Sequence, residues 1–518
     1  MTKKRYRNPS ILFISLLVLI LSFLTACSGT FEIGVVHTPT PGRATTSVEV
    51  SSATPTTTVE SVVPPTAAPT SEPTPTPIYG PFVLHVTFVK DDNVWLWTEE
   101  QEAVPLTTTG GVEGVKISDD GAVIAFTRGG ELWVVNQDGT GERPLVTTEE
   151  FTTMERREPE FRVALNRYAW VGRTHILAFN TRLGTGYGLI LNDDLHLVNT
   201  DTAELTVLFP PGQGGEFTYS PDGSQVALAT PDTIFLADAD GGNLRETFTY
   251  TPVSTASELQ YYPEPVWSAD SSSLRVAIAP PDPYVERPQT SIWALHTDGT
   301  PARLMGSIEV ARGSSQPVFS AYLSQLAYVQ LPEGGRPGDQ GSVVLTDLTG
   351  GEMIGDSTTY YPEAHGIYGY APDALRFAFT TNPEQPRAML GQLGAEAVPA
   401  LGDAESIAID VRWIDADHYL LLASSSAGGW DIILGEVGGS ATHIATVGGP
   451  PPAYDFAAPT TSSPTPVADD SSDSVIPFGL VYMTKVASRG CTDEMQAPNH
   501  LHSDPLQSAP AIRSGFAS

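Results

Sequence analysis

Short apolar runs, three to five residues long, recur along the chain in pairs joined by a compact polar turn. The clearest pair is Glu216-Phe-Thr-Tyr-Ser-Pro-Asp-Gly-Ser-Gln-Val-Ala-Leu-Ala-Thr230, which reads as strand, tight turn, strand. Proline presets φ for the second turn position, aspartate caps the turn, and glycine takes the positive φ that other residues resist. The residue just before the turn is Tyr219, and its equivalents are Ile117, Trp170, Trp267, Phe319, Tyr370, Trp413 and Phe456, spaced 43 to 53 residues apart. Second strands follow at Val123–Thr127, Ile176–Phe179, Val226–Ala229, Val276–Ala279, Leu326–Val329, Phe377–Phe379 and Leu420–Ala423. Third strands follow in turn, as at Glu131–Val135, Asp194–Val198 and Ser291–Leu295, and Asp138-Gly139, Asp240-Gly241 and Asp298-Gly299 then mark hairpins into a fourth. No stretch carries the helical period. A repeat of about 40 to 50 residues built only of strands predicts a β-propeller with four-stranded blades.

The first copy lacks a first strand: Leu84–Val89, Asn93–Trp97 and Val104–Leu106 supply only the later three. At the other end, Pro452-Ala-Tyr-Asp-Phe456 is a first strand with nothing of its own to follow. Joined, they complete one blade from both ends of the chain. The expected fold is therefore all-β, an eight-bladed propeller of four-stranded antiparallel blades over residues 82–458, with seven blades as the alternative if one poor copy is a decoration.

These hairpins resemble the TolB-like (WD-repeat-like) β-propeller family, whose blades carry a Trp-Ser-Pro-Asp-Gly turn and an Ile-Ala-Phe strand. Only Ser220-Pro221-Asp222-Gly223 keeps the turn whole; other copies read Ser118-Asp-Asp-Gly121, Ser268-Ala-Asp-Ser271 and Ala371-Pro-Asp-Ala374. The resemblance implies fold and says little of function, because the motif is structural.

The N-terminus adds a location. Met1–Arg7 is basic, Ile11–Leu24 is an apolar run too short to span a bilayer comfortably, and Leu24-Thr25-Ala26-Cys27 follows. That layout reads as a signal peptide over residues 1–26, and its end resembles a bacterial lipobox, which implies lipidation at Cys27. A membrane anchored through that lipid, on the extracytoplasmic face, is the expected setting. Residues 27–80 are rich in Thr, Pro and Ser, as at Pro73-Thr-Pro-Thr-Pro77, and read as a semi-rigid extended linker. Residues 459–518 read as linker and unstructured tail.

The formal charge of −33 becomes more negative still when the signal segment takes Lys3, Lys4, Arg5 and Arg7 with it, which argues against nucleic acid and anionic headgroups as partners. Two cysteines, Cys27 and Cys491, imply no disulfide framework. Gly-x-Ser-x-Gly, P-loop, His-Glu-x-x-His and Cys-x-x-Cys patterns are all missing, so the peptidase domain that follows propellers in dipeptidyl-peptidase-like families is not expected. Asp238-Ala-Asp-Gly-Gly-Asn243 opens like a calcium loop, but Thr249 stands where a bidentate glutamate is needed. No cofactor or metal is expected, and a monomer is.

Long inserts fall between second and third strands, at Leu183–Asp193, Pro280–Thr290 and Leu331–Gly341, and between blades near Thr148–Asn166 and Thr249–Tyr262. In a four-stranded meander both loop classes emerge on one face, which makes that mouth the candidate site. Three residues before five of the turn aromatics, at that face, stand Arg167, Glu216, Glu264, Gln316 and Asp410. They form a candidate polar ring of net negative bias for a cationic or hydroxyl-rich ligand. Two functions fit: a non-enzymatic binding or scaffold propeller for a protein, peptide or glycan, or a propeller enzyme acting on glycan or peptide at the channel mouth. The first is preferred, because catalysis needs converging acid, base or metal ligands.

Overall fold

The computed structural model describes residues 83–459, apart from 185–188, 256–258, 286, 311–315, 336–338, 350–357, 382–383, 393 and 403–406. The chain divides into Met1–Pro73 and Thr74–Ser518, and everything below belongs to the second unit. Cys27, the signal peptide, the whole linker and all of the tail but residue 459 lie outside the described residues.

Eight four-stranded antiparallel units follow one another, as the repeat predicts. Blade 1 is Val112–Ile117, Val123–Arg128, Glu131–Asn136 and Arg143–Val146; blade 2 is Arg162–Trp170, Ile176–Gly184, Leu195–Asn199 and Leu205–Phe209. Blade 3 is Glu216–Tyr219, Gln225–Ala229, Thr233–Asp238 and Arg245–Thr249; blade 4 is Val266–Trp267, Ser273–Ile278, Gln289–His296 and Arg303–Glu309. Blade 5 begins with Val318–Phe319, Gln325–Gln330 and Gly341–Asp347, and blade 6 ends with Arg376–Thr381, Arg387–Gln392 and Val398–Pro399. Between them one strand, Thr358–Tyr370, serves as the last of blade 5 and the first of blade 6, fusing the two into a seven-stranded sheet. Blade 7 is Ala408–Trp413, His418–Ser424, Trp430–Glu436 and Ala441–Val447, and blade 8 joins Tyr454–Ala457 to His85–Lys90, Asn93–Thr98 and Gln101–Pro105.

Burial follows position in the blade. Second strands are covered on both faces by neighbouring blades, so Val226–Ala229 and Tyr419–Ala423 are buried without a break, and their sequences are continuous apolar runs. Fourth strands lie at the rim, so in Leu205–Phe209 only Phe209 is buried. The turn aromatics pack between blades: Trp267 Nε1 donates to the Thr218 carbonyl (3.1 Å) and Trp413 Nε1 to the Gly369 carbonyl (3.3 Å), each reaching the preceding blade.

The eroded turns keep their geometry. In blades 1, 3 and 4 the serine hydroxyl donates to the turn aspartate at 2.6 Å and accepts from the first amide of the second strand, as Gln225 N to Ser220 Oγ at 3.0 Å. The left-handed position is Gly121 (φ 73°) and Gly223 (φ 71°), but it is Ser271 (φ 63°), Leu323 (φ 57°) and Ala374 (φ 59°) in the other copies. Each of those three bears a cost of roughly 1–2 kcal/mol that glycine would avoid.

One helix occurs among the described residues, α1, Thr148–Thr153, started by a capping box between Thr147 and Glu150. It is too short to show a helical period, which is why the sequence pattern misses it. The insert after Leu183 is also more ordered than a loop: Leu189–Leu191 pairs back on Arg182–Gly184, making an arm whose Leu183 packs with Phe151 of α1.

The ring closes where the two ends of the chain meet. Tyr454–Ala457 pairs with His85–Phe88 in register, Phe88 opposite Tyr454 and His85 opposite Ala457. Val86, Phe88 and Tyr454 share a core with Leu420, Leu422 and Ile432 of blade 7, while Ala457 packs into the core of blade 1. Polar contacts bind the same strand on both sides: Arg412 Nη1 donates to the Tyr454 carbonyl (2.8 Å), and the amide of Ile117 donates to Asp455 Oδ2 (3.0 Å). Deletion after Gly449 should therefore destabilise the protein by on the order of 3 kcal/mol or more, from the lost burial of Tyr454 and Ala457 and their ladder bonds. It should also broaden the thermal transition by opening two blade edges. Deletion after Pro464 should change neither; identical melting curves for the two truncations would contradict closure by strands from both ends.

Candidate functional site

The loop-rich mouth is built on a buried polar hub in blade 2. Asp194 immediately precedes the third strand and is fully buried, where an unpaired carboxylate would be prohibitive. Four donors meet it: the Thr181 amide (2.7 Å), the Thr181 hydroxyl (2.5 Å), Asn192 Nδ2 (2.8 Å) and His196 Nε2 (3.0 Å). Burial pushes its carboxyl up, but the bonds from His196 and Thr181 prevail and hold it below the usual carboxylate range. His196 is itself buried and stacked on Phe179, with ring centroids 5.0 Å apart. The pair is therefore sealed from substrate and serves to anchor the base of the arm.

Asp193, one residue earlier, is also buried and holds a φ of 50°. Arg157 Nη1 lies 2.8 Å from its Oδ2, and the Tyr262 hydroxyl donates to its Oδ1 at 2.9 Å. Burial raises the Asp193 carboxyl above its ordinary value, and Arg157 opposes that shift. Tyr262 is raised as well, by burial and by the Asp193 charge. The turn below requires glycine at 214, since a Cβ there would stand 2.6 Å from the Asp194 carbonyl carbon. A second thread runs from Asn180, whose Nδ2 donates to the Gly215 carbonyl, through Asn166, which donates to Asn180 Oδ1 (3.1 Å) and to Glu216 Oε1 (3.0 Å).

Of the five residues expected from spacing, two meet here. Arg167 Nη1 lies 3.7 Å from Glu216 Oε2, and its guanidinium sits 5.5 Å from the Phe217 ring centre. Glu264 and Gln316 are exposed at the starts of blades 4 and 5, and no hydrogen bond or ion pair joins them to the others among the described residues. Asp410 lies across the ring, where its Oδ2 takes Arg412 Nε (3.0 Å) and the Tyr454 hydroxyl (2.9 Å). The polar groups thus fall into two nests, blades 2–4 and blades 7–8, both containing an arginine. Asp193, Arg157, Tyr262, Asn166 and Arg412 had no repeat-based signal, because each lies off the periodic position or in an insert. The Asp193-Asp194 pair at the end of the Leu183–Asp193 insert was the one visible hint.

No family model matches the chain. No curated protein matches it by sequence either. Solved structures similar in fold include the oligogalacturonate lyase of Vibrio parahaemolyticus, 14% identical over 58% of this chain and 83% of that one, with a TM-score of 0.40. The dipeptidyl peptidase 4 of Porphyromonas gingivalis is 13% identical over 64% of this chain and 53% of that one, TM-score 0.45. The β-propeller domain of the Trilobed protease from Pyrococcus furiosus is 12% identical over 55% of this chain and 84% of that one, TM-score 0.38. At such identities a shared fold says nothing of a shared activity.

The hub yields a stability prediction. Asp194→Ala would leave the donors of Thr181, Asn192 and His196 buried without an acceptor and should cost about 3–5 kcal/mol in urea unfolding. Asp194→Asn, which retains an acceptor, should cost less; a loss below about 1 kcal/mol for the alanine variant would mean the hub does not brace the arm.

Proposed function

We propose that this chain is a TolB-like propeller displayed on the extracytoplasmic face of a membrane by a lipid on Cys27, and that its loop-rich mouth binds a protein, peptide or glycan ligand. The reading rests on one observation. Two carboxylates of the mouth are already held in fixed pairs: Asp193 by Arg157 and Tyr262, Glu216 by Asn166 and Arg167, with Asp194 enclosed beneath. Such an arrangement is preorganised for recognition, with polar groups set at fixed positions. The acidity of the chain points to basic or hydroxyl-rich ligands and away from nucleic acid. The linker of residues 27–80 then sets the propeller away from the bilayer.

The rival reading, a propeller enzyme on glycan or peptide, has one observation in its favour: the raised carboxyl of Asp193 beside a tyrosine and an arginine, the type of perturbation that general acids use. Turnover of a bound glycan or peptide that is lost in Asp193→Asn would favour it.

Two outcomes test the proposal. Cys27→Ala should abolish lipid labelling in cells and move the protein out of the detergent phase; unchanged membrane association would end the lipoprotein reading. Charge reversal at Glu216 and Glu264 should weaken binding of cell-wall fragments or basic peptides, followed by calorimetry, by about 1–3 kcal/mol without unfolding the protein. Affinity indifferent to both reversals would place the ligand elsewhere.

A further inference from the structure

On the far side of the ring from the arm, a cleft of about 420 Å³ opens between the innermost strands of blades 5, 6 and 7. That volume falls within the roughly 300–1,000 Å³ typical of small-ligand sites. Its walls are aromatic: Phe319 from blade 5, Tyr368 and Tyr370 from blade 6, and Trp413 from blade 7. Ala321 and Pro372, of the turns after the first strands of blades 5 and 6, also line it, which sets it toward the turn-bearing end of the channel.

Two features point to a ligand. Asp410 and Arg412 are the only charged residues lining the cleft, and they bond to each other through Arg412 Nε and Asp410 Oδ2 at 3.0 Å. Arg412 is further committed to the Tyr454 carbonyl and ring, and Asp410 Oδ2 to the Tyr454 hydroxyl. The pair is therefore neutral as a unit and fixed in place, with Asp410 Oδ1 and Arg412 Nη2 making no hydrogen bond among the described residues. One acceptor and one donor stand side by side at an aromatic wall. The second feature is Gly369. Its equivalents in the other blades are Lys116, Ala169, Thr218, Val266, Val318, Arg412 and Asp455, all with side chains. Only here is the position bare, within a strand, and a Cβ added to it would meet nothing within 4 Å. Glycine in a strand interior marks a bulge or the close approach of another group. A register irregularity does fall between Ile367 and Gly369, and the open space beside Gly369 also leaves room for a ligand to approach the backbone.

We infer that this cleft binds a neutral saccharide. A pyranose ring has an apolar C–H face that lies against aromatic rings, and neighbouring hydroxyls that donate to a carboxylate oxygen while accepting from a guanidinium. A cation or an anion would find the opposite charge already neutralised by its partner. This site is separate from the mouth on blades 2–4, and the two can fail independently.

The test is calorimetry on the full chain with neutral tetrasaccharides (β-1,4-glucose, α-1,4-glucose and β-1,4-N-acetylglucosamine), alongside the cationic tetramer of β-1,4-glucosamine. At least one neutral tetramer should bind. Gly369→Leu, which fills the cleft from a backbone position with open space around it, and Trp413→Leu, which removes a ring, should each weaken binding by about tenfold or more. Tm controls accompany both, and whichever variant keeps its Tm decides the outcome; should both lose stability, Gly369→Ala, the smallest occluding change, replaces them. The glucosamine tetramer should bind at least about tenfold more weakly than its N-acetylated counterpart. Charge reversal at Glu216 and Glu264 should leave this affinity unchanged. Failure of every neutral tetramer to bind, equal binding of the cationic tetramer, or affinity indifferent to the folded cleft variants would overturn the assignment. So would loss of binding on reversal at Glu216 and Glu264, which would place the saccharide in the mouth.

Discussion

The ring depends on one seam. Every other blade is continuous in sequence, and the turns joining first to second strands are short, so their closure costs little entropy. Blade 8 alone is assembled from residues separated by most of the chain, Tyr454–Ala457 against His85–Phe88. Its contacts are correspondingly redundant: ladder bonds, a core shared with blade 7, Arg412 on one flank and the Ile117–Asp455 bond on the other. Asp455 is partly buried, and loss of hydration raises its carboxyl, with Lys116, the Ile117 amide and Arg412 opposing that shift. A charge is tolerated there because the groups around it are fixed by the closed ring itself.

The turns show how far a repeat can drift while its fold persists. Ser220-Pro221-Asp222-Gly223 satisfies each geometric demand with the residue best suited to it, whereas Ser271, Leu323 and Ala374 adopt the left-handed conformation without being glycine. The backbone bonds are the same in each, as Gly223, Ser271, Leu323 and Ala374 all donate their amide to the first residue of the turn. Packing of adjacent blades evidently outweighs the local penalty. Where blades approach most closely the glycine persists: a Cβ on Gly121 would stand 2.2 Å from His85 Nδ1, and one on Gly223 would stand 3.1 Å from Gly172 Cα.

Much of this architecture was legible in the sequence because it is local. The turn aromatics and the apolar second strands are patterns within some fifteen residues, the split copy shows as a strand missing at one end and left over at the other, and the structure places all of them as read. What was not legible depends on groups far apart in sequence or on inserts without a period. The six-residue α1 is stabilised by its cap and by burial of Phe151, not by amphipathic repetition. The Asp194 hub gathers Thr181, Asn192 and His196 through the folding of the arm, and Tyr262 reaches Asp193 from a different blade junction. At the mouth, spacing identified Arg167 and Glu216 as neighbours but left their partner Asn166 and the whole Arg157–Asp193–Tyr262 group unseen. Asp410 was found by position, yet its chemistry is set by Arg412 two residues on, across one pleat of the same strand.

The strand Thr358–Tyr370 has a mechanical consequence. Elsewhere a non-strand connection separates each blade from the next. Here the thirteen residues of one strand carry the chain from the rim of blade 5 to the axis of blade 6, bending at Glu363 (φ 65°) and at register irregularities between Ala364 and Gly366 and between Ile367 and Gly369. A displacement at the outer edge of blade 5 is thereby passed through the main chain and hydrogen bonds of a single sheet to Gly369 and Tyr370 beside the channel. Two blades are one sheet here, and the periphery of the propeller has a direct covalent line to its centre.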